Sequence, residues 1–257
     1  MAVDEYLFRT LSVEPRTAVR FYQWIRPTAS LGYGQNPAKV VDLEFCRSNG
    51  VDVVRRITGG KLVLHYREAT YALVSSDKET FTATLGGSYK LISRGLVNGL
   101  AAMGLSAVLA DQAPPFYARG TMPCFSHPAQ DEVEIAGRKI IGSAQKRIGD
   151  RFLQHGSIPL SGDEDLLKAV SFLRGDPSPI RMTSLSEALG RPVEFGETAW
   201  RLAEGLASFF QVDFEPIVFE SSALKAIEDL RRRKYASDAW TLSAREEDPI
   251  SPVAQAG

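Results

Sequence analysis

The sequence is short of several things, and each shortage removes a class of protein. It has two cysteines, Cys46 and Cys124, in 257 residues. Two cannot build a framework of disulfides, and their wide separation matches no metal-ligand spacing, so the usage suits a reducing compartment. The three histidines, His65, His127 and His155, also lie far apart without paired spacing, and no metal site is expected. Net charge is scarce: 30 basic against 31 acidic side chains leave −1, whereas a general affinity for nucleic acid needs a strongly basic surface. No apolar run approaches the ~20 residues of a spanning helix. The acidic opening Met1-Ala2-Val3-Asp4-Glu5-Tyr6 is unlike a secretory signal. A cytoplasmic protein without membrane or nucleic-acid partners is expected. No repeat of fixed period is visible. What is present, 44% apolar and 24% charged residues, is ordinary globular composition, sufficient for one medium domain.

The apolar spacing predicts a helix over residues 2–11 and an aromatic strand at Phe21-Tyr22-Gln23-Trp24. Leu31 to Pro37 reads as a turn region, and Asp42 as the cap of a helix reaching Asn49. Val51, Val53 and Val54 begin a strand, Leu62 to His65 and Tyr71 to Val74 two more. Ser88 to Met103 is a helix of roughly four turns stopped by Gly104. Ser106 to Ala110 is a short strand, residues 111–123 a loop, and Val133 with Ile135 a half-exposed strand. Lys139-Ile140-Ile141 and Phe152 to Leu160 are read as strands on either side of a Gly142-Ser143 bend. From residue 161 the character is helical. Ser161 with Glu164 and Ser184 with Glu187 are capping-box patterns. Thr198 precedes a third helix and Ala223 starts a fourth, with Arg231 to Lys234 as its solvated basic end. The strands come too irregularly for a βαβ repeat, so the expected fold is α/β with a mixed or antiparallel sheet. Residues 1–245 form the expected catalytic domain and 246–257 a loose tail.

Four segments carry candidate chemistry. Arg55-Arg56-Ile57-Thr58-Gly59-Gly60-Lys61, followed by His65, is either a hairpin turn or a loop whose backbone approaches a ligand. It is not a P-loop, because the Gly-Lys-Ser/Thr ending is missing. Cys124, in Pro123-Cys124-Phe125, is either a small buried hydrophobe or a nucleophile presented on a Pro/Gly-rich loop. Cys46, beside Phe45 in a helical pattern, belongs in the core. Lys139, ahead of Gly142-Ser143-Ala144-Gln145, is a solvated strand end, a lysine whose charge is disfavoured by apolar surface, or a fixed cation near a developing anion. Gln154-His155-Gly156-Ser157 is a satisfied polar cluster or the wall of a ligand site.

As an ordered set these segments resemble the biotin/lipoate ligase and lipoyl/octanoyl transferase superfamily. The resemblance runs from the Met1-Ala2-Val3-Asp4-Glu5 opening through Arg20 to Trp24 and Ser30 to Gln35. It is strongest in Arg55-Arg56-x-Thr58-Gly59-Gly60 with His65, in Lys139 with Gly142 to Gln145, and in His155-Gly156-Ser157. It implies a central mixed β-sheet flanked by helices with a smaller second sheet, and an acyl chain lying in a tunnel near the diglycine loop. It also implies a strand ahead of the opening helix; this chain starts at the helix, so an exposed sheet edge is expected. Two chemistries occur in the family. Lipoate ligases use ATP, with magnesium, to form an acyl-adenylate and typically read Gly-Gly-Gly where this chain has Gly59-Gly60-Lys61. Octanoyltransferases take the chain from acyl carrier protein through a cysteine thioester and need no ATP or other cofactor. One branch of them is similar to this chain at Cys124-Phe125, Lys139, Gly142 to Arg147 and Leu153 to Ile158. The segment Ser126 to Glu132 departs from that branch in lacking aromatic residues.

The resemblance therefore implies Cys124 and Lys139 as the catalytic pair. It implies a substrate site made of Arg55, Arg56, Thr58, Gly59, Gly60, Lys61, His65, Gly142, Ser143, Ala144, His155 and Gly156. The implied donor is octanoyl-acyl carrier protein. The implied acceptors are lipoyl domains, as in the glycine cleavage H protein or the E2 component of 2-oxoacid dehydrogenases. Arg138, Lys146, Arg147 and Arg151 are expected to steer such acidic partners.

Overall fold

A computed structural model describes residues 1–11, 17–81, 83–111, 131–173 and 180–246. Along the chain these form α1 (Ala2–Thr10), β1 (Thr17–Tyr22), β2 (Thr28–Leu31), α2 (Pro37–Val40), α3 (Leu43–Ser48) and β3 (Asp52–Arg55). Then come β4 (Val63–His65), β5 (Glu68–Ser75), α4 (Leu85–Ala102), β6 (Val108–Leu109), β7 (Val133–Ile135), β8 (Arg138–Ile148) and β9 (Arg151–Pro159). The last part is helical: α5 (Glu164–Val170), α6 (Leu185–Leu189), α7 (Phe195–Phe210), α8 (Ser221–Leu230), a π-turn (Arg231–Tyr235) and α9 (Asp238–Ser243). Cys124 and all but the first residue of the loop expected at 111–123 lie outside the described residues.

The strands make two sheets. The larger has the order β1-β5-β9-β8-β7-β6 and is antiparallel throughout. The smaller, β3-β2-β4, contains the parallel pair β2/β3. Both faces of the large sheet are covered, which is why β5 is buried at every residue. Alternation sends Tyr71 and Leu73 with Phe152 and Ile158 toward α4 and α7. Ala72, Val74 and Leu153 go to the opposite face, under Leu7 and Phe8 of α1 and Trp240 of α9. The small sheet closes a second core with α3 and α5 through Ala29, Leu31, Cys46 and Leu167. Cys46 is buried there, as expected.

Local signals explain most helix ends. Asp42 accepts from Phe45 N at 2.8 Å and Ser184 from Glu187 N at 3.3 Å, both as read from the sequence. Three expectations are corrected. Gly142-Ser143 is not a bend, because it lies inside the continuous strand β8, and the chain turns at Gly149-Asp150 instead. Ser161 does not cap α5; Asp163 does, accepting from Leu166 N at 3.1 Å. A carboxylate beside the first turn displaces the more distant serine. The basic run after α8 is not uniformly solvated. Arg231 and Arg232 pair outward with Glu228 and Asp229, but Lys234 is buried against Glu5 at 2.9 Å and also reaches Glu246. The π-turn winds the chain by one extra residue there, which takes Lys234 inward.

Candidate active site

The site forms where the small sheet meets the middle of the large one. An open cleft is lined by Met1, Tyr22, Ser30, Val63 and Thr70. Arg56, His65, Gly142, Ser143, Ala144, His155, Gly156 and Ser157 complete the lining. Seven of the residues expected at a substrate site thus meet: Arg56, His65, Gly142, Ser143, Ala144, His155 and Gly156. Gly142 pairs with Ser157, and Ser143 with Gly156, across β8 and β9. Beyond Ile141, β7 no longer accompanies β8. Among the described residues no other strand pairs with that edge, so alternate N–H groups of Gly142 to Ala144 are not committed to the sheet.

Gly156 is required for this wall. A Cβ there would lie 2.5 Å from Tyr71 Cε1 and 2.6 Å from Ser143 Oγ. Tyr71 itself is fixed, sharing a hydrogen bond with Ser143 Oγ at 2.7 Å and accepting one from Gln154 at 2.9 Å. Burial pushes its hydroxyl up to about 12, so it stays protonated. Gly156→Ala is therefore expected to cost about 1–3 kcal/mol of stability and, by pushing Tyr71 and Ser143 away, to disturb the β8–β9 wall of the cleft. Chemical denaturation and acyl-ligand titration check this; unchanged stability and affinity would refute the packing account.

The cleft floor is a chain of buried hydrogen bonds. His65 shares one with Ser30 Oγ through Nε2, at 2.8 Å, and one with Glu68 through Nδ1, at 2.7 Å. Glu68 also accepts from Thr70 and Ser157. Trp24 stacks on His65 at 4.3 Å and donates to Thr70 at 2.9 Å. A second chain links Thr58 Oγ1 to His155 Nε2 at 2.6 Å, with Asp4 3.9 Å from His155 Nδ1. Burial lowers the His155 imidazole below its ordinary range, while Asp4 opposes the shift. Asp4 is anchored in turn by Arg20 at 2.6 Å and by the Tyr22 hydroxyl at 3.0 Å.

The two arginines do different work. Arg56 donates to Ser30 Oγ at 3.0 Å and folds back onto Gly59 O at 2.9 Å and Lys61 O at 2.6 Å, giving the diglycine loop its shape. Gly60 needs its positive φ of 89°, and a Cβ at Gly32 would land on the Gly60 carbonyl oxygen. Two loop backbones touch there, as only glycine permits. Arg55 is not among the lining residues. Its guanidinium serves six main-chain carbonyls, those of Gly32, Tyr33 and Gln35 and those of Trp240, Thr241 and Leu242. Thr58, Gly59, Gly60 and Lys61 stand behind the lining, and Thr58 reaches the cleft through His155.

Lys139 is the second residue of β8, three residues or roughly 10 Å before Gly142. It does not line the cleft. Its Nζ lies 2.6 Å from Glu132 Oε2, with the side chains 0% and 3% exposed, so it is not the solvated strand end the sequence allows. The neighbouring arginines are engaged as well: Arg138 with Glu187 at 2.5 Å and Met182 O at 2.9 Å, Arg147 with Ser88 at 2.9 Å and Arg151 with Arg9 O at 2.8 Å. Among the described residues no group of three or more His, Cys, Asp and Glu side chains is placed to hold a metal ion. Likewise, no helix among them is long and apolar enough to cross a membrane.

The profile of the lipoyl protein ligase A/B catalytic domain matches residues 1–207. The chain belongs to that family. It is 35% identical over 259 residues to octanoyltransferase LipM of Brevibacillus brevis, covering 94% of this chain and 93% of that one. It is 36% identical over 254 residues to octanoyltransferase LipM of Kyrpidia tusciae, covering 93% and 92%. The fold superposes on a bipartite lipoate protein ligase from Thermoplasma acidophilum, solved in a study of that ligase and its E2 lipoyl domain. The TM-score is 0.79 at 21% identity over 97% of this chain and 92% of the other. Within this lipoyl ligase and transferase family, the sequence does not single out Val63, Glu68 or Thr70 as site residues. Glu68 does leave a signal. An acid heading the apolar run Ala69 to Val74 must find buried donors, and it finds three.

Proposed function

We propose that the protein transfers an octanoyl group from acyl carrier protein, through a thioester on Cys124, to a lysine amine of a lipoyl domain. The observation that carries this reading is the identity of 35–36% to octanoyltransferases along more than nine-tenths of the chain. The cleft of glycines, Ala144 and Val63 supports it. An alkyl chain fits such a lining, and each methylene buried contributes about 0.8 kcal/mol.

In this reading the Cys124 thiolate attacks the thioester carbonyl of the donor. The carbonyl C–S bond breaks, the carrier leaves as a thiolate and takes up a proton, and the octanoyl group remains on Cys124. Backbone N–H groups of Gly142 to Ala144, on the β8 edge that no described strand pairs with, hold the oxyanion. Lys139 supplies positive charge to the Cys124 thiolate. The amine of the acceptor lysine then attacks, loses a proton, and releases the Cys124 thiolate. Thioester to amide runs downhill, so no ATP, metal or other cofactor is needed. Donor and acceptor are octanoyl-acyl carrier protein and the lipoyl domain of a glycine cleavage H protein or a 2-oxoacid dehydrogenase E2, encountered in the cytoplasm.

The test is mass measurement of the whole protein after incubation with octanoyl-acyl carrier protein and no ATP. A gain of one octanoyl group, discharged when a lipoyl domain is added, is expected. Absence of the adduct, with octanoylated lipoyl domain formed only from free octanoate plus ATP and magnesium, would replace this reading with a ligase.

A further inference from the structure

We infer that Glu132 is a positioning residue that holds Lys139 as a fixed ammonium at the head of the strand lining the acyl cleft. The inference rests on the octanoyl-transfer reading and assigns to that reaction a residue outside the Cys124–Lys139 pair. Three observations carry it. First, Lys139 and Glu132 meet at 2.6 Å with exposures of 0% and 3%. A fully buried ammonium is costly unless a carboxylate compensates it, and Glu132 supplies one at ion-pair distance. Second, both main chains are pinned. Lys139 N donates to Arg181 O at 3.0 Å and Lys139 O accepts from Thr183 N at 2.9 Å, while Glu132 O accepts from Ala110 N at 2.8 Å. Neither backbone is free to follow a side chain that loses its partner. Third, Glu132 directly precedes β7, and the β7–β8 hairpin carries Lys139. Glu132 is therefore built to set where the cation sits relative to the cleft.

The experiment measures single-turnover octanoyl-adduct formation on the full chain, as a function of octanoyl-acyl carrier protein concentration. Wild type, Glu132→Gln, Glu132→Asp, Lys139→Met and the Lys139→Met/Glu132→Gln double variant are compared. Glu132→Gln is expected to lower the maximal rate about a hundredfold while the half-saturating donor concentration changes less than about twofold. Glu132→Asp, which keeps the charge, is expected to recover most of the rate. In the Lys139→Met background, Glu132→Gln is expected to bring no further loss, because its effect runs through the lysine. Should Glu132→Gln not fold, the comparison of Lys139→Met with the double variant decides, since that variant buries no unpaired charge. Equal rates for those two support the inference, and a further loss overturns it. A folded Glu132→Gln protein with wild-type rate also overturns it and leaves the transfer reading standing. A wild-type protein that forms no adduct overturns the transfer reading and this inference together.

Discussion

Cys124→Ala is expected to abolish the octanoyl adduct and to reduce transfer to a lipoyl domain by roughly a thousandfold or more. Nucleophilic catalysis needs a group that attacks the thioester and later leaves, and alanine offers none. The chain supplies only two thiols, and the structure removes one of them from contention. Cys46 is 1% exposed in the second core, and burial, helped by the nearby Asp42 carboxylate, pushes its thiol up to about 11. At pH 7 only on the order of one such thiol in ten thousand is ionised, and the thiolate is the reactive form. Cys46→Ala is therefore expected to keep the adduct. It should lose about 1 kcal/mol of stability through a small cavity. The two variants are read side by side by intact-protein mass. An adduct of unchanged mass on Cys124→Ala, or its disappearance in Cys46→Ala alone, would sink the assignment.

The second large effect is structural. Arg55→Ala is expected to lower the unfolding free energy by about 4 kcal/mol or more. The guanidinium ties the Gly32–Gln35 turn to the end of α9 through six carbonyls, the shortest at 2.7 and 2.8 Å. Trp240 Nε1 returns a bond to Arg55 O at 2.8 Å. Removing the side chain leaves buried carbonyls without donors and unties the C-terminal helix from the small sheet. Arg55→Lys is expected to recover little, because a compact ammonium with three donors cannot span acceptors that a planar fork reaches on two segments. Denaturant unfolding measures the loss. An Arg55→Ala protein as stable as wild type but unable to bind acyl donor would give Arg55 a ligand-binding role instead.

The same arginine shows where reading the sequence stops. Arg55-Arg56 and the diglycine are legible as a unit, and so are Lys139, Gly142 to Ala144 and His155-Gly156, because glycines beside cations mark close backbone approaches. Adjacent residues in a strand end point to opposite sides, so two arginines in a row cannot share one task. Arg56 turns to the cleft and Arg55 to α9. The Gly142-Ser143 bend is a similar case. Glycine is locally permissive, and pairing with β9 over seven residues, Gly142 to Ile148, makes the chain extended instead.

Composition excluded a disulfide framework, and the ordered motifs pointed to the family, the two-sheet fold and seven of the cleft residues. Those features are written in nearest neighbours: caps, apolar periods, glycines and a cysteine in its local setting. Only the tertiary structure decided that Ser30, His65 and Glu68 form one buried chain, that Arg55 is a strut, and that Lys139 is held by Glu132. The reason is physical. A buried charge or donor must be satisfied by whatever the fold brings within about 3 Å, and sequence spacing does not say what that will be.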